Sequence, residues 1–439
     1  MKNILIISVL ATLTALAPAA APAATAEAAE VSRKKLQIFL LAGQSNMTGY
    51  SGIMPLTNLA NYRELEDPAL RALDERLCKV VFPGEEAIRR NNERRARIYK
   101  LRVAIQDLTE QLNKAKQDKD ATTVERLEKE LKEANAGCGQ LEAELEVAKA
   151  KRVHIAPDGR YGHKPGVLAF GYGRARNYMG PEYGFGLTLE QKMDAPILLI
   201  KVAQDGASLA YNFRPPSSGP YDLSEKEQAL RDSMLKQQAA GKKVKVPDYS
   251  EPGKDYRGLV EFTREVLGDL KSYHPEYDPA VGYEIAGFVW VQGFSDKHVG
   301  QSSAQYARNL ANLIRDLRKD LNAPKMLVVS GTPSYDRTKE AYEAHPVVLA
   351  QRAVGQMPEF KGNVAIVETL QYYDQQIWPL WPNWKEHFPE WYMVGSNVAC
   401  HYLGSGRFFV RLGDALSTAM VGMMKQRETE APSNLPHGK

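Results

Sequence analysis

Three short polar motifs hold the residue types needed for acyl transfer, and each follows an apolar run rich in β-branched residues. Gly43-Gln44-Ser45-Asn46 follows residues 36–42, and Asp205-Gly206-Ala207-Ser208 follows residues 196–203. Gln292-Gly293-Phe294-Ser295-Asp296 closes the run 285–292. Ser45 is a hydroxyl nucleophile, which needs a base to take its proton. Its neighbours do not form Gly-x-Ser-x-Gly, so the α/β-hydrolase nucleophile elbow is excluded by motif. The backbone N–H groups of Ser45 and Gly206, with the side-chain amide of Gln292, are candidates to stabilise an oxyanion. Glycine at 206 permits the close approach that a Cβ would block. Each motif alone reads as an ordinary turn. Their shared position at strand ends points to one site, because ligands of open α/β sheets bind beyond the carboxyl ends of the strands.

The base must be a histidine, and the chain has eight. His154 and His163 lie ahead of the second apolar run, His274 and His345 each precede a proline, His387 sits in an aromatic stretch, and His437 is in the tail. Two serious candidates remain. His298 follows Asp296, and His401 stands just before the last amphipathic segment, where a loop can carry it over the strand ends. His401 has the better position. No Cys-x-x-Cys or His-x-x-x-His spacing occurs, so no metal site is expected. Cys78, Cys138 and Cys400 are too few for a disulfide framework.

The elements that must position these groups alternate between strand and helix. The apolar runs 36–42, 196–203, 285–292, 326–330 and 364–369 read as strands. Helical patterns follow near 182–193, 259–273, 303–321, 346–357 and 404–424. That alternation predicts an α/β fold with a mainly parallel sheet covered on both faces. Residues 211–256 and 371–398, rich in Pro, Tyr and Trp, read as long ordered loops of the kind that build substrate sites. Their tryptophans suit either stacking on sugar rings or burial. Residues 85–152 differ from the rest. Apolar side chains recur at alternating spacings of 3 and 4 from Ile98 to Ala115 and again from Val124 to Ala148, with Asp118-Lys119-Asp120 between. This predicts an antiparallel coiled-coil hairpin, weakened at Gly137 and Gly139, with self-association as a weak expectation.

Lys2, the apolar run 4–16 and the small residues after it read as a signal peptide over 1–26, giving a secreted or periplasmic protein without a membrane span. A net charge of +4 over 439 residues does not support nucleic-acid binding, and 44% hydrophobic residues exclude wholesale disorder.

The block Ile38-Phe39-Leu40-Leu41-Ala42-Gly43-Gln44-Ser45-Asn46-Met47 resembles the first block of the sialate O-acetylesterase-like domain, grouped with carbohydrate esterase family six in the SGNH-hydrolase superfamily. Gly206-Ala207-Ser208-Leu209 is similar to its second block and Gly287-Phe288-Val289-Trp290-Val291-Gln292-Gly293 to its third. Phe213-Arg214-Pro215-Pro216-Ser217-Ser218-Gly219 and His401-Tyr402-Leu403-Gly404-Ser405-Gly406 resemble segments of a bacterial branch. The resemblance implies a flavodoxin-like three-layer fold and hydrolysis of O-acetyl groups from acetylated carbohydrate without a cofactor. It also implies Ser45 as nucleophile, His401 as base, Gly206 and Gln292 as oxyanion donors, and Gln44, Asn46 and Arg214 as substrate-binding residues. The esterase-like domain then comprises 33–80 and 153–428, interrupted by the hairpin at 85–152 and followed by a tail at 429–439. One departure matters most: the position three before His401, where the superfamily has Asp, is Val398. Asn397 is the nearest polar residue, and Asp296, Glu368 and Asp374 are the carboxylates at or beyond strand ends. The competing reading is a carbohydrate-binding or scaffold protein with a decayed site, assembled through the coiled coil.

Overall fold

The computed structural model describes residues 34–246, 248–298, 303–335 and 338–430, so the signal peptide read at 1–26 and nearly all of the tail lie outside it. The strands in chain order are β1 (Leu36–Gly43), β2 (Ser51–Gly52), β3 (Val153–Pro157), β4 (Gly166–Val167), β5 (Tyr178–Met179), β6 (Ile197–Ala203), β7 (Tyr283–Val291), β8 (Leu327–Gly331) and β9 (Val364–Val367). Seven form one sheet in the order β4-β3-β6-β1-β7-β8-β9, parallel except for the β3–β4 pair, while β2 and β5 pair separately. All five expected strands are present, in the order that places β1 at the centre, with β3 and β4 added beyond β6.

Alternation along β1 decides the layering. Ile38, Leu40 and Ala42 face one core, built with helices α8 (Lys254–Gly268), α11 (Ser303–Asp320) and α13 (Pro346–Gly355). Phe39 and Leu41 face the other, built with α3 (Pro68–Val81), α6 (Pro181–Lys192) and α15 (Gly406–Glu430). A strand buried on both faces must be apolar at every position, which is why 36–43 reads as a continuous apolar run. Outside the inserted hairpin the remaining helices are α1 (Ser45–Thr48), α2 (Ile53–Thr57), α7 (Glu225–Ala239), α9 (Leu270–Tyr273), α10 (Phe294–His298), α12 (Lys339–Glu343) and α14 (Phe388–Val394). Thus α7 and α14 occupy stretches whose sequence reads as loop.

The hairpin is made of α4 (Glu85–Gln117) and α5 (Ala121–Ala143). Leu112 and Ala115 meet Leu127 near its tip, and Ile98 and Ile105 meet Cys138 and Leu141 toward its base, as antiparallel arms require. Two details differ from the sequence reading. The second arm runs unbroken through Gly137 and Gly139, and it ends at Ala143 rather than near Ala148. Beyond it the chain leaves the coil, and the Ala148 and Ala150 N–H groups bond to Val81 and Leu168 carbonyls at 2.7 and 2.9 Å.

The hairpin base is bound into the rest of the protein. Met54 packs in the seam cluster, and Ile53, Tyr392 and Met393 lie against it. Arg95, 5% exposed, donates to the Met54 carbonyl (2.6 Å), Thr57 Oγ1 (2.7 Å) and the Met393 carbonyl (3.1 Å). No carboxylate bonds to it, and burial pushes its guanidinium down to about 10. Tyr99 donates to Glu390 (2.6 Å), and Tyr392 donates to Glu142 (2.6 Å) beneath the Arg102 guanidinium. The hairpin therefore holds α2 and α14.

Candidate active site

Parallel pairing sets Gly43 opposite both Ala203 and Val291, so the three polar motifs emerge side by side at the carboxyl end of the sheet. A Cβ on Gly43 would lie 2.1 Å from the Val291 carbonyl oxygen, so the turn into Ser45 admits only glycine. Gln44, in extended conformation, caps α1, and its carbonyl accepts the Met47 and Thr48 N–H groups. Ser45 is the first helical residue, so its own N–H has no partner within the helix. Gly206 stands across from it with φ +71, a left-handed conformation natural to glycine. The N–H groups of Ser45 and Gly206 have no acceptor among the described residues.

Gln292, expected as an oxyanion donor, is buried and engaged within the protein. Its Nε2 lies 3.1 Å from Gln44 Oε1, 3.1 Å from the Ala207 carbonyl and 2.5 Å from Asp296 Oδ2, and its Oε1 accepts from Tyr306 (2.7 Å). Gln44 is likewise engaged, its Oε1 accepting from the Gly293 and Ser295 N–H groups at 3.1 and 3.2 Å. Asp296 is also structural: burial pushes its carboxyl up to about 6, and it accepts from Leu209 and Ala210 N–H groups at 2.8 Å each. Those bonds fasten the segment that follows Gly206.

His401 arrives from the other end of the chain on the tight turn 399–404. Its Nδ1 lies 2.7 Å from Asn397 Oδ1, which also accepts the Val398 N–H (2.9 Å) and so has its amide orientation fixed. Nδ1 therefore carries the proton, and Nε2 keeps its lone pair. The ring stacks on Tyr50 at 4.2 Å and 11°. Asn46 Nδ2 donates to the Cys400 carbonyl (3.1 Å), tying the serine turn directly to the histidine turn. Ser396 Oγ donates to the Tyr50 carbonyl (2.9 Å) and accepts from Gly52 N–H (3.1 Å), a second tie. The following residues Tyr402 (φ 52) and Leu403 (φ 57) are left-handed without being glycine. Such backbone strain, on the order of 1–3 kcal/mol per residue, persists only where surroundings enforce it. Here the Ser334 N–H donates to the Tyr402 hydroxyl (3.1 Å), and the ring stacks on Phe408 at 3.6 Å.

None of the three carboxylates expected at the strand ends reaches the histidine. Asp296 is engaged as above, Glu368 pairs with Arg352 and Tyr342, and Asp374 accepts from Ser405 Oγ (2.7 Å). Asn397 orients the ring instead. His298, the rival base, closes α10. Burial holds the His401 imidazole below its ordinary value, and the Asp205 carboxylate pulls in the opposite direction.

The carbohydrate esterase family described as sialic acid-specific acetylesterase matches residues 135–374, more than half of the chain. The chain belongs to that family. The matched segment carries the Gly206 and Gln292 motifs, while Ser45 and His401 lie on either side of it. Among solved structures, this chain is similar to a protein from Arabidopsis thaliana at 14% identity and a TM-score of 0.39, covering 88% of this chain and 98% of that one. It is also similar to a carbohydrate acetylesterase from Xanthomonas citri at 10% identity and a TM-score of 0.41, covering 89% of this chain and 57% of that one. A search of curated proteins finds no match.

Two further side chains show what motif reading misses. Arg214, expected at the substrate, bonds to four carbonyls of its own loop, those of Ala210, Ser218, Gly219 and Pro220, at 2.7–3.0 Å. It clamps residues 210–220. Lys201 lies buried in β6, with Nζ 2.8 Å from Glu182, 2.9 Å from the Thr48 carbonyl and 2.8 Å from the Tyr172 carbonyl. It thereby holds the carboxyl end of α1 behind Ser45. A lysine inside Ile197-Leu198-Leu199-Ile200-Lys201-Val202-Ala203 was the available signal. The tryptophans are mostly packing residues: Trp290 is fully buried, and Trp378, Trp381, Trp384 and Trp391 share one cluster.

Proposed function

We propose that this protein removes O-acetyl groups from acetylated carbohydrate through a serine acyl-enzyme, with Ser45 as nucleophile and His401 as base. The supporting observation is the tie between the two turns, Asn46 to Cys400, with His401 held by Asn397 in the tautomer that leaves Nε2 free to accept a proton. His401 takes the Ser45 proton as Oγ attacks the acetyl carbonyl. The unpartnered N–H groups of Ser45 and Gly206 receive the oxyanion. The imidazolium then protonates the departing sugar oxygen, and water, activated by the same imidazole, releases acetate from the serine. Asparagine in the orienting position fixes geometry without adding charge.

The test is labelling with a fluorophosphonate probe alongside acetate release from an acetylated oligosaccharide. Wild type labels and releases acetate, whereas Ser45→Ala does neither while melting at nearly the wild-type temperature. Activity above about a tenth of wild type in Ser45→Ala removes Ser45 from the role, since an enzyme without its nucleophile loses far more than that.

A further inference from the structure

A histidine base becomes an imidazolium in the transition state, and a neutral asparagine offers that cation no opposite charge. The nearest carboxylate is Asp205, at the carboxyl end of β6 and immediately before Gly206. The Tyr50 ring lies stacked against His401, and the Tyr50 hydroxyl donates to Asp205 Oδ2 at 2.7 Å. Asp205 is itself held from two sides. Its N–H donates to the Tyr161 hydroxyl (3.1 Å), and Arg174 Nε lies 2.8 Å from the same Oδ2. Oδ1 is buried and has no partner among the described residues, so one pair rather than a bidentate fork opposes the carboxylate charge.

We propose that Asp205, acting through Tyr50, is the positioning residue that stabilises the His401 imidazolium in place of the absent triad acid. Resting on the serine-esterase reading, this assigns the second half of the acid's work. Asn397 fixes the tautomer, and the Tyr50–Asp205 pair supplies the negative field. The imidazolium formed on proton transfer stacks on the electron-rich face of Tyr50, a cation–π contact that the neutral ring makes only weakly. The hydrogen bond to Asp205 draws electron density toward the ring and strengthens that contact. Arg174 tempers the field. The groups in contact with His401 are Tyr50 and Asn397, with Asp205 beyond Tyr50, and Arg174 and Tyr161 beyond Asp205.

The experiment follows the imidazole directly. The His401 titration is read by NMR in Ser45→Ala, with and without Asp205→Asn, and kcat is measured across pH in Asp205→Asn alone. Asp205→Asn is expected to move the His401 titration and the ascending limb of kcat/KM together toward lower pH. It should lower kcat about ten-fold, the size of a unit charge acting across about 10 Å of partly hydrated protein. Arg174→Met removes the opposing cation and should move both toward higher pH. Tyr50→Phe retains the stack, and its fall in kcat should be smaller than that of Asp205→Asn. An unmoved titration in Asp205→Asn, or a shift of the same sign in Arg174→Met, overturns the proposal. The NMR arm is read without turnover, so a protein whose Ser45→Ala form still hydrolyses an acetyl ester would refute the serine mechanism and leave this measurement standing.

Discussion

Replacing Lys201 by methionine is expected to destabilise the protein by removing one half of a buried ion pair. The side chain of Lys201 is 6% exposed and that of Glu182 is fully buried. Removal of the ammonium strands the Glu182 carboxylate together with the Thr48 and Tyr172 carbonyls, since Gly180 N–H at 2.9 Å is the remaining donor to Glu182. Breaking one side of such a pair costs about 3–5 kcal/mol. With an unfolding entropy of about 2.1 cal/mol/K per residue over roughly 400 residues, a loss of about 4 kcal/mol lowers Tm by about 5 °C. Scanning calorimetry of wild type, Lys201→Met and the double variant Lys201→Met/Glu182→Leu reads this loss. The double variant should recover most of it, because a packed apolar pair replaces a buried ion pair at little cost. A single variant that melts within about 1 °C of wild type refutes the reasoning.

Asn397→Ala frees the imidazole to adopt either tautomer and should lower kcat about a hundred-fold with little change in KM, read by steady-state kinetics on an acetyl ester. Gly43→Ala drives a methyl group into the Val291 carbonyl and parts β1 from β7, which should appear as a sharp loss of soluble, folded protein. Arg95→Met withdraws the donor that joins α4 to α2 and to the end of α14. Amide hydrogen exchange in residues 388–394 should quicken while exchange in β1 and β7 is unchanged, and kcat should fall because the His401 turn follows directly.

The central sheet was legible because its strands are buried on both faces and so leave unbroken apolar runs. The strands β3 and β4 beyond β6 were not, since Val153–Pro157 is short and contains His154, and β4 is a mere two residues. Helix α7 escaped notice because it presents almost no apolar face: Glu227, engaged in a capping box with Ser224, is its buried residue. The coiled-coil seam was readable from its period, but its attachment was not. Arg95, Tyr99 and Arg102 look like ordinary solvated charges on a helix, and their partners lie some 290 residues away. In the site, the motifs located Ser45, Gly206 and His401 at one end of the sheet. They did not show that Gln292 and Arg214 are engaged within the protein, because a side chain's type says nothing about how many acceptors its neighbours present to it.

The tie between Asn46 and Cys400 spans 354 residues of chain. The bond between Ser396 and the Tyr50 carbonyl spans 346. At ribosomal rates on the order of 5–20 residues per second, the serine turn exists for tens of seconds before its histidine has been made. The contacts that join the serine turn to the histidine turn are therefore non-local, and they can form only after the intervening sheet has closed its loops. On the proposed chemistry, a nascent chain, or one cut anywhere before the turn at 399–404, is silent however well its sheet is folded. Catalytic competence becomes a report on completion of the chain, arriving as a late and all-or-none event rather than growing with the fold.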